Sequence, residues 1–335
     1  MNRAEELGEG LAAFLRSELG EDSAPQITEV ALISSVGNAR EPWAFNARWV
    51  DLDGTRRDEQ CVMLLKAEAG QLETTLGPEF GTIAALDGSG VPIPRALWCD
   101  ESGDWLGQPF FVTAFVPGTA TMRPLRIEGG SPHLRSVALD LARAAADLHS
   151  FDWQEANVDF LEPVTVESAA LGQLAGWKNQ FDRQRLEPHP MMAYAFEWLK
   201  HHAPVAERIS IVHGDLRFGN VLYEDDRLTA LLDWEMVHLG DPIEDLGWVY
   251  RALWSPERSL SFEEFITTYE RAADRPVDPA HLRWYQAFSE VKHAMISLTG
   301  ARSFHDRASL NLRLADRAET LPAFLGRFYE LVPPC

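Results

Sequence analysis

Cysteine is nearly absent: three residues in a chain of 335, Cys61, Cys99 and Cys335, none forming a C-x-x-C pair. An odd, scattered set excludes a disulfide framework and a zinc knuckle, and it suits a reducing, cytoplasmic setting. Long apolar runs are also missing. None approaches the roughly 18–20 residues that span a bilayer, and the N-terminus, Met1-Asn2-Arg3-Ala4-Glu5-Glu6, lacks the basic-then-apolar order of a signal peptide. The expectation is a soluble protein with no membrane partner. Cations are scarce as well, with 30 Lys and Arg against 51 Asp and Glu and a net charge of −21. Such a field repels nucleic acid, which excludes DNA and RNA as partners; its plainest use is solubility, and it is compatible with a cationic ligand.

What is abundant is core. Hydrophobic residues make up 46% of the chain and there are 11 Trp, enough for a large interior split over two lobes. The hydrophobic period changes near residue 118. Before it, an amphipathic helix (Leu7, Leu11, Phe14, Leu15, ending at Gly20) leads into β-rich segments at Ile27–Ser35, Trp43–Val50, Cys61–Lys66 and Phe110–Val116, with Asp53-Gly54 as a hairpin turn. A helical pattern over Glu73–Leu86 is closed by Gly88, Gly90, Pro92 and Pro94. After Pro117-Gly118 the pattern is mostly helical: Val137, Leu141, Ala144 and Leu148, then segments around 190–202, 262–272 and 279–299. Ser261 with Glu264, and Asp278 before Pro279, are helix starts. Short β-like stretches at Ile209–Val212, Val221–Tyr223 and Leu228–Leu232 interrupt the helices. This predicts an α+β fold with a small β-rich N-lobe over 1–117 and a larger, mainly helical C-lobe over 118–335.

The interruption brackets the chemistry. His213-Gly214-Asp215-Leu216-Arg217-Phe218-Gly219-Asn220 is followed thirteen residues later by Asp233-Trp234-Glu235. A loop between short strands can aim Asp215 at a substrate hydroxyl as its base, while Asn220 and Asp233 supply hard oxygen ligands suited to Mg²⁺. Arg217 can stabilise charge on a transferred phosphoryl group, and His213 is expected to brace the loop. Taken singly, Asp and Asn in loops usually satisfy turns and caps; order and spacing carry the functional reading. Asp241, Pro242 and Glu244 read as an ordinary helix start, and Asp245 as a brace for the loop. His201, His202, His238 and His293 make neither H-x-H nor H-E-x-x-H spacing and are expected on the surface or in the core. Trp153, Trp177, Trp198, Trp248, Trp254 and Trp284 are expected mainly in the core, with a few lining an acceptor pocket.

The stretch Ile211–Asn220, with Leu231–Glu235 and Gly240-Asp241-Pro242-Ile243-Glu244-Asp245-Leu246, resembles the aminoglycoside phosphotransferase family, small-molecule kinases with a protein-kinase-like fold. The resemblance implies a two-lobed kinase-like enzyme that uses ATP, or GTP, with Mg²⁺. It places Gly37 and Asn38 in the phosphate-covering loop, Lys66 (or its neighbour Leu65) at the phosphate-pairing position, Glu79 as its ion-pair partner, and the backbone of Thr113 to Phe115 against adenine. The loop at 34–39 has one glycine, Gly37, to relax its backbone. The acceptor it implies is a small-molecule hydroxyl: an aminoglycoside-type antibiotic, or a metabolic hydroxyl compound. Gly37–Trp43 and Asp233–Glu235 are most similar to the phosphotransferase domains associated with acyl-CoA dehydrogenases, where a hydroxyacyl-CoA is a reasonable acceptor. The alternatives are a nucleotide-binding module without catalysis and a metal-dependent hydrolase; Asn220 at a decisive position argues against the second.

Overall fold

Helix α1 (Arg3–Leu19) starts at a capping box: Asn2 accepts from the Glu5 amide at 3.0 Å and Glu5 accepts from the Asn2 amide at 3.0 Å. Its buried stripe, Leu7, Leu11, Phe14 and Leu15, packs on a five-stranded sheet, each side chain contributing about 1.5–3 kcal/mol by leaving water. The computed structural model describes residues 2–33, 40–66, 75–308 and 310–332, the side chains of Arg313 and Ala318 excepted.

The sheet is antiparallel, in the order β1 (Gln26–Leu32), β2 (Arg40–Val50), β3 (Arg56–Lys66), β5 (Phe110–Ala114), β4 (Ala96–Asp100). Phe45 pairs with Cys61 and Arg40 with Lys66, fixing which side chains share a face. One face carries Trp43, Phe45, Ala47, Cys61, Met63 and Leu65 into the core under α1. Across the other lies α2 (Leu76–Ala85), whose Phe80 meets Phe111 at 6.0 Å between ring centroids. The Asp53-Gly54 turn forms as its sequence suggests: Gly54 has φ +82° and the Thr55 amide donates to Asp53 Oδ1 at 2.8 Å.

The remaining helices are α3 (Pro132–Ser150), α4 (Ala169–Gln184), α5 (Pro190–His201), α6 (Ile243–Val249), α7 (Phe262–Ala273), α8 (Pro279–His305), α9 (Leu312–Asp316) and α10 (Leu321–Leu331). Among them run two short hairpin-like pairs, β6 (Ser210–Val212) with β9 (His238–Gly240), and β7 (Val221–Glu224) with β8 (Arg227–Leu231). The expected helix starts are seen at α7, where Ser261 accepts from the Glu264 amide at 3.2 Å, and at α8, where Asp278 accepts from the Ala280 amide at 2.7 Å. The 27-residue α8 is the axis of this region, with Trp284, Phe288, Val291 and Met295 buried.

Two compact units result: residues 1–87 with 93–117, and residues 88–92 with 118–335. The first contains the sheet with α1 and α2, and the second the remaining helices with the two small strand pairs. The architecture is the two-lobed, protein-kinase-like α+β fold. Among the described residues no helix is long and apolar enough to cross a membrane.

Candidate active site

The 213–220 segment enters from β6 and leaves into β7, so both of its ends are tied to strands. Gly214 sits at φ +79°, and a Cβ there would lie 2.4 Å from the Met236 carbonyl oxygen, so only glycine fits the turn. Asp245, on α6 and fully buried, accepts from the backbone amides of His213 at 2.8 Å and Gly214 at 2.9 Å, and lies 3.0 Å from His149 Nε2. The expected brace is therefore formed, through two main-chain donors. Burial alone would raise the Asp245 pKa; the hydrogen bond and charge of His149, with His213, outweigh it and hold the carboxyl below its usual range. On the other side of the turn, Lys292 of α8, also fully buried, donates to the Gly214 carbonyl at 2.6 Å and to Glu244 at 2.9 Å. Glu244 is thus not the capping partner its spacing suggested. Burial opposes its charge, yet Lys292 and His238 bring its pKa down to about 2. Asp241 still serves the helix start, accepting from the Ile243 amide at 3.0 Å.

Held this way, Asp215 receives three side-chain donors. Trp248 Nε1 donates to Oδ1 at 2.7 Å, Asn220 Nδ2 to Oδ2 at 2.7 Å, and Arg217 Nε to both oxygens at 3.0 and 2.9 Å. An ionised carboxylate accepts at about four lone-pair sites, and these three donors make two contacts on each oxygen, which fixes the orientation of the group. His213 uses both ring nitrogens on the loop itself, with Nε2 3.1 Å from the Leu232 carbonyl and Nδ1 accepting from the Asp215 amide at 3.3 Å. That pattern fits the neutral tautomer, and burial lowers its pKa. His213 is therefore a brace with no free nitrogen for proton transfer.

Asn220, buried, spends its amide nitrogen on Asp215, with a second bond to the Asp215 carbonyl at 3.0 Å, so its amide oxygen is the atom available to a cation. Asp233 is half-buried and holds φ +66°, in the left-handed region that Asp enters more readily than most non-glycine residues. Both Asp233 and Asp215 act on the Arg217 guanidinium: burial would lower its pKa, but these carboxylates raise it. Arg217 and Asn220 both bond Asp215, and the Leu232 amide donates to the Asn220 carbonyl at 2.8 Å, which brings the chain at Asp233 to the same loop. An amide oxygen and a carboxylate beside it suit Mg²⁺, which takes few protein oxygens and completes its shell from water and phosphate. Among the described residues no group of three or more His, Cys, Asp and Glu is placed to hold a metal.

In the first unit, Lys66 lies at the end of β3, directly opposite Arg40. Glu79 is buried on α2, and Arg40 is a partner, donating from Nε at 3.3 Å and Nη2 at 3.1 Å, where the sequence had suggested Lys66. Residues directly opposite on antiparallel strands project from one face of the sheet, so Arg40 and Lys66 share the face that α2 covers, and Arg40 is the one in contact with Glu79. Thr113 is buried within β5, and the amides beside it are already engaged: Ala114 donates to the Arg95 carbonyl and Phe115 to the Gln60 carbonyl, each at 2.9 Å. Gly37 and Asn38 lie outside the described residues.

Sequence reasoning missed Trp248 and Lys292. Trp248 had a signal: it stands three residues after Asp245 on one short helix, and i,i+3 neighbours share a face. Lys292 had none, because a lone lysine in an apolar helix reveals its partners only in three dimensions.

Comparison with known proteins places this geometry. The family model described as "Phosphotransferase enzyme family" (APH) matches residues 42–286. Mouse acyl-CoA dehydrogenase family member 10 is 28% identical over 204 residues, covering 59% of this chain and 19% of the relative. The rat family member 11 is 27% identical over 311 residues, covering 83% and 39%. The chain therefore spans well under half the length of these curated relatives. Among solved structures, a candidate aminoglycoside phosphotransferase from Ralstonia eutropha JMP134 superposes with a TM-score of 0.73 at 22% identity, over 96% of this chain and 97% of the other. Aminoglycoside phosphotransferase APH(4)-Ia, crystallised with AMP-PNP and hygromycin B, gives 0.64 at 16% identity over 97% and 99%. With the family model covering most of the chain and the His213–Asn220 loop set beside Asp233, the protein belongs to the aminoglycoside phosphotransferase (APH) family of small-molecule O-phosphotransferases.

Proposed function

We propose that this chain transfers the γ-phosphoryl group of ATP to a hydroxyl of a small molecule, with a metabolic hydroxyl compound such as a hydroxyacyl-CoA as the leading class and an aminoglycoside-type antibiotic as the other. The observation that carries the reading is the carboxylate of Asp215, oriented by Trp248, Asn220 and Arg217 on a loop pinned by Asp245. Phosphoryl transfer asks a protein for positioning and charge more than for covalent chemistry, and this arrangement offers both. The acceptor oxygen forms a bond to the γ-phosphorus, the bond from that phosphorus to the β,γ-bridging oxygen breaks, and the hydroxyl proton passes to Asp215. Arg217 adds positive charge beside the group in flight. Asn220 and Asp233 would hold Mg²⁺, which neutralises phosphate charge when bound. Lys66, with Arg40 and Glu79 next to it, would orient the phosphates in the first unit. Similarity to acyl-CoA dehydrogenase family members 10 and 11 supports the thioester class.

Asp233→Ala tests the metal role by calorimetry with ATP. Mg²⁺-dependent tightening of ATP binding should fall by roughly ten-fold or more, the scale of losing a charged ligand. Unchanged Mg²⁺ dependence would remove Asp233 from the site.

A further inference from the structure

The carboxylate of Asp215 is fully occupied. Its Oδ1 takes Trp248 Nε1 at 2.7 Å and Arg217 Nε at 3.0 Å, and its Oδ2 takes Asn220 Nδ2 at 2.7 Å and the same Arg217 Nε at 2.9 Å. Four contacts meet about four lone-pair sites, so neither an acceptor hydroxyl nor a water can donate here until one of the three donors leaves. Two of them are fixed. Trp248 is 2% exposed and packs against the rings of Trp254 and His293 at 5.2 and 5.7 Å. Asn220 is 5% exposed, and its amide nitrogen also holds the Asp215 carbonyl at 3.0 Å. Arg217, the third, is 25% exposed along its side chain, so it is the donor an incoming molecule can reach.

Arg217 folds back onto the base because position 219 has no side chain. Gly219 lies in the short 3-10 turn Phe218–Asn220, outside the left-handed region, so its backbone does not itself call for glycine. A Cβ there would stand 2.2 Å from Arg217 Nη1 and 3.4 Å from Met122 Sδ. What the glycine leaves open is the space that the guanidinium fills. Trp254 backs the guanidinium, its ring 5.3 Å away. Burial would lower the Arg217 pKa, but Asp215 first, and then Asp233 and Glu235, raise it. An arginine released from Asp215 therefore still has carboxylates beside it.

We propose that Arg217, seated against Gly219, is a latch on the base: it fills the place on Asp215 that a reacting hydroxyl needs, so that water is not activated and ATP is not hydrolysed before an acceptor displaces it. The inference rests on the phosphotransferase reading for the reaction that is guarded, though not for the contact itself. With the latch open and no acceptor present, a water oxygen bonds the γ-phosphorus, the bond to the β,γ-bridging oxygen breaks, and the water proton passes to Asp215, giving ADP and phosphate. A closed latch suppresses that side reaction. Once an acceptor hydroxyl takes its place, Arg217 is free to turn its planar, paired N–H donors to phosphoryl oxygens, while Trp248 and Asn220 keep the base aimed.

The test compares the full chain with Gly219→Ala, which crowds the guanidinium off Asp215 and keeps its charge, and with Arg217→Ala, which removes it. ADP release from Mg·ATP is followed without acceptor, and with a hydroxyacyl-CoA or kanamycin added. Heteronuclear NMR reads hydrogen exchange at Arg217 Nε in the ligand-free protein, the signal being identified by its loss in Arg217→Ala. The expected result is that acceptor-free ADP release rises roughly ten-fold or more in Gly219→Ala, the scale of one charge-assisted hydrogen bond, and that the rise disappears when Asp215→Asn is added. In Arg217→Ala the ratio of acceptor-free to acceptor-driven release rises by a similar factor. Exchange at Arg217 Nε is slow in the parent and accelerates roughly ten-fold or more in Gly219→Ala. A melting curve and ATP calorimetry check both variants, and Arg217→Ala carries the test should Gly219→Ala unfold. Acceptor-free release that does not rise in variants that still bind ATP overturns the proposal, as does exchange in the parent as fast as in Gly219→Ala. Slow exchange that Gly219→Ala sets free, with no ADP release from any of the proteins under any condition, upholds the contact and defeats the phosphotransfer reading.

Discussion

Asp245→Asn isolates the brace from the base. In the parent protein one buried carboxylate accepts the His213 and Gly214 amides through different oxygens, at 2.8 and 2.9 Å, with His149 at 3.0 Å. Asparagine keeps the shape but offers a single oxygen, so its NH₂ faces one of those amides, donor against donor. One charge-assisted bond is lost, worth about 1.5–3 kcal/mol, and one buried N–H goes unsatisfied, costing about 1–3 kcal/mol. The sum is about 2.5–6 kcal/mol, a large share of a typical 5–15 kcal/mol of stability. At about 2–4 °C per kcal/mol for a unit of this size, the melting temperature should fall by roughly 5–24 °C. Because the depressed pKa belongs to a carboxyl, its stabilisation is present above the ordinary value of 3.8 and is lost as pH falls through the lower folded-state value. The parent protein should therefore show an acid-side loss of stability below about pH 4 that the variant lacks. Circular dichroism melts at pH 7 and across pH 2–5 read both effects. A variant that melts within a degree or two of the parent would refute the claim that Asp245 holds the loop.

Two further substitutions probe neighbouring parts. Trp248→Phe removes the 2.7 Å bond to Asp215 while keeping most of the ring stacking; turnover should drop roughly ten-fold or more, the scale of a charge-assisted hydrogen bond, with ATP affinity unchanged, as steady-state kinetics would read. Arg40→Ala breaks the buried pair with Glu79 and should cost roughly 3–5 kcal/mol in urea unfolding, whereas a surface arginine such as Arg48 should cost under about 1 kcal/mol.

The large elements were legible because their hydrophobic period is strong. The Leu7–Leu15 stripe, the Asp53-Gly54 turn and the caps at Ser261 and Asp278 each state a local rule that the fold obeys. Two strands stayed hidden: β4, five residues long, and β9, three residues long, are too short for a period of two to stand out, and their partners come from elsewhere in the chain. Helix α4 was hidden by its polar face and two internal glycines, Gly172 and Gly176. At the site, the His213–Asn220 and Asp233 spacing was readable because loop chemistry is local. What could not be read was who pairs with whom. Glu79 took Arg40, Glu244 turned from its cap to Lys292, and Arg251 and Arg327, from separate segments, met at Glu290.

The central claim is that Asp215 takes the acceptor's proton. The most direct measurement compares parent and Asp215→Asn proteins in ADP release from Mg·ATP with the acceptor panel, alongside calorimetric ATP affinity. The account predicts a loss of turnover by a factor on the order of 10² or more, with ATP affinity within about two-fold, since general base catalysis typically contributes 10²–10⁴. Turnover retained in the variant would contradict it.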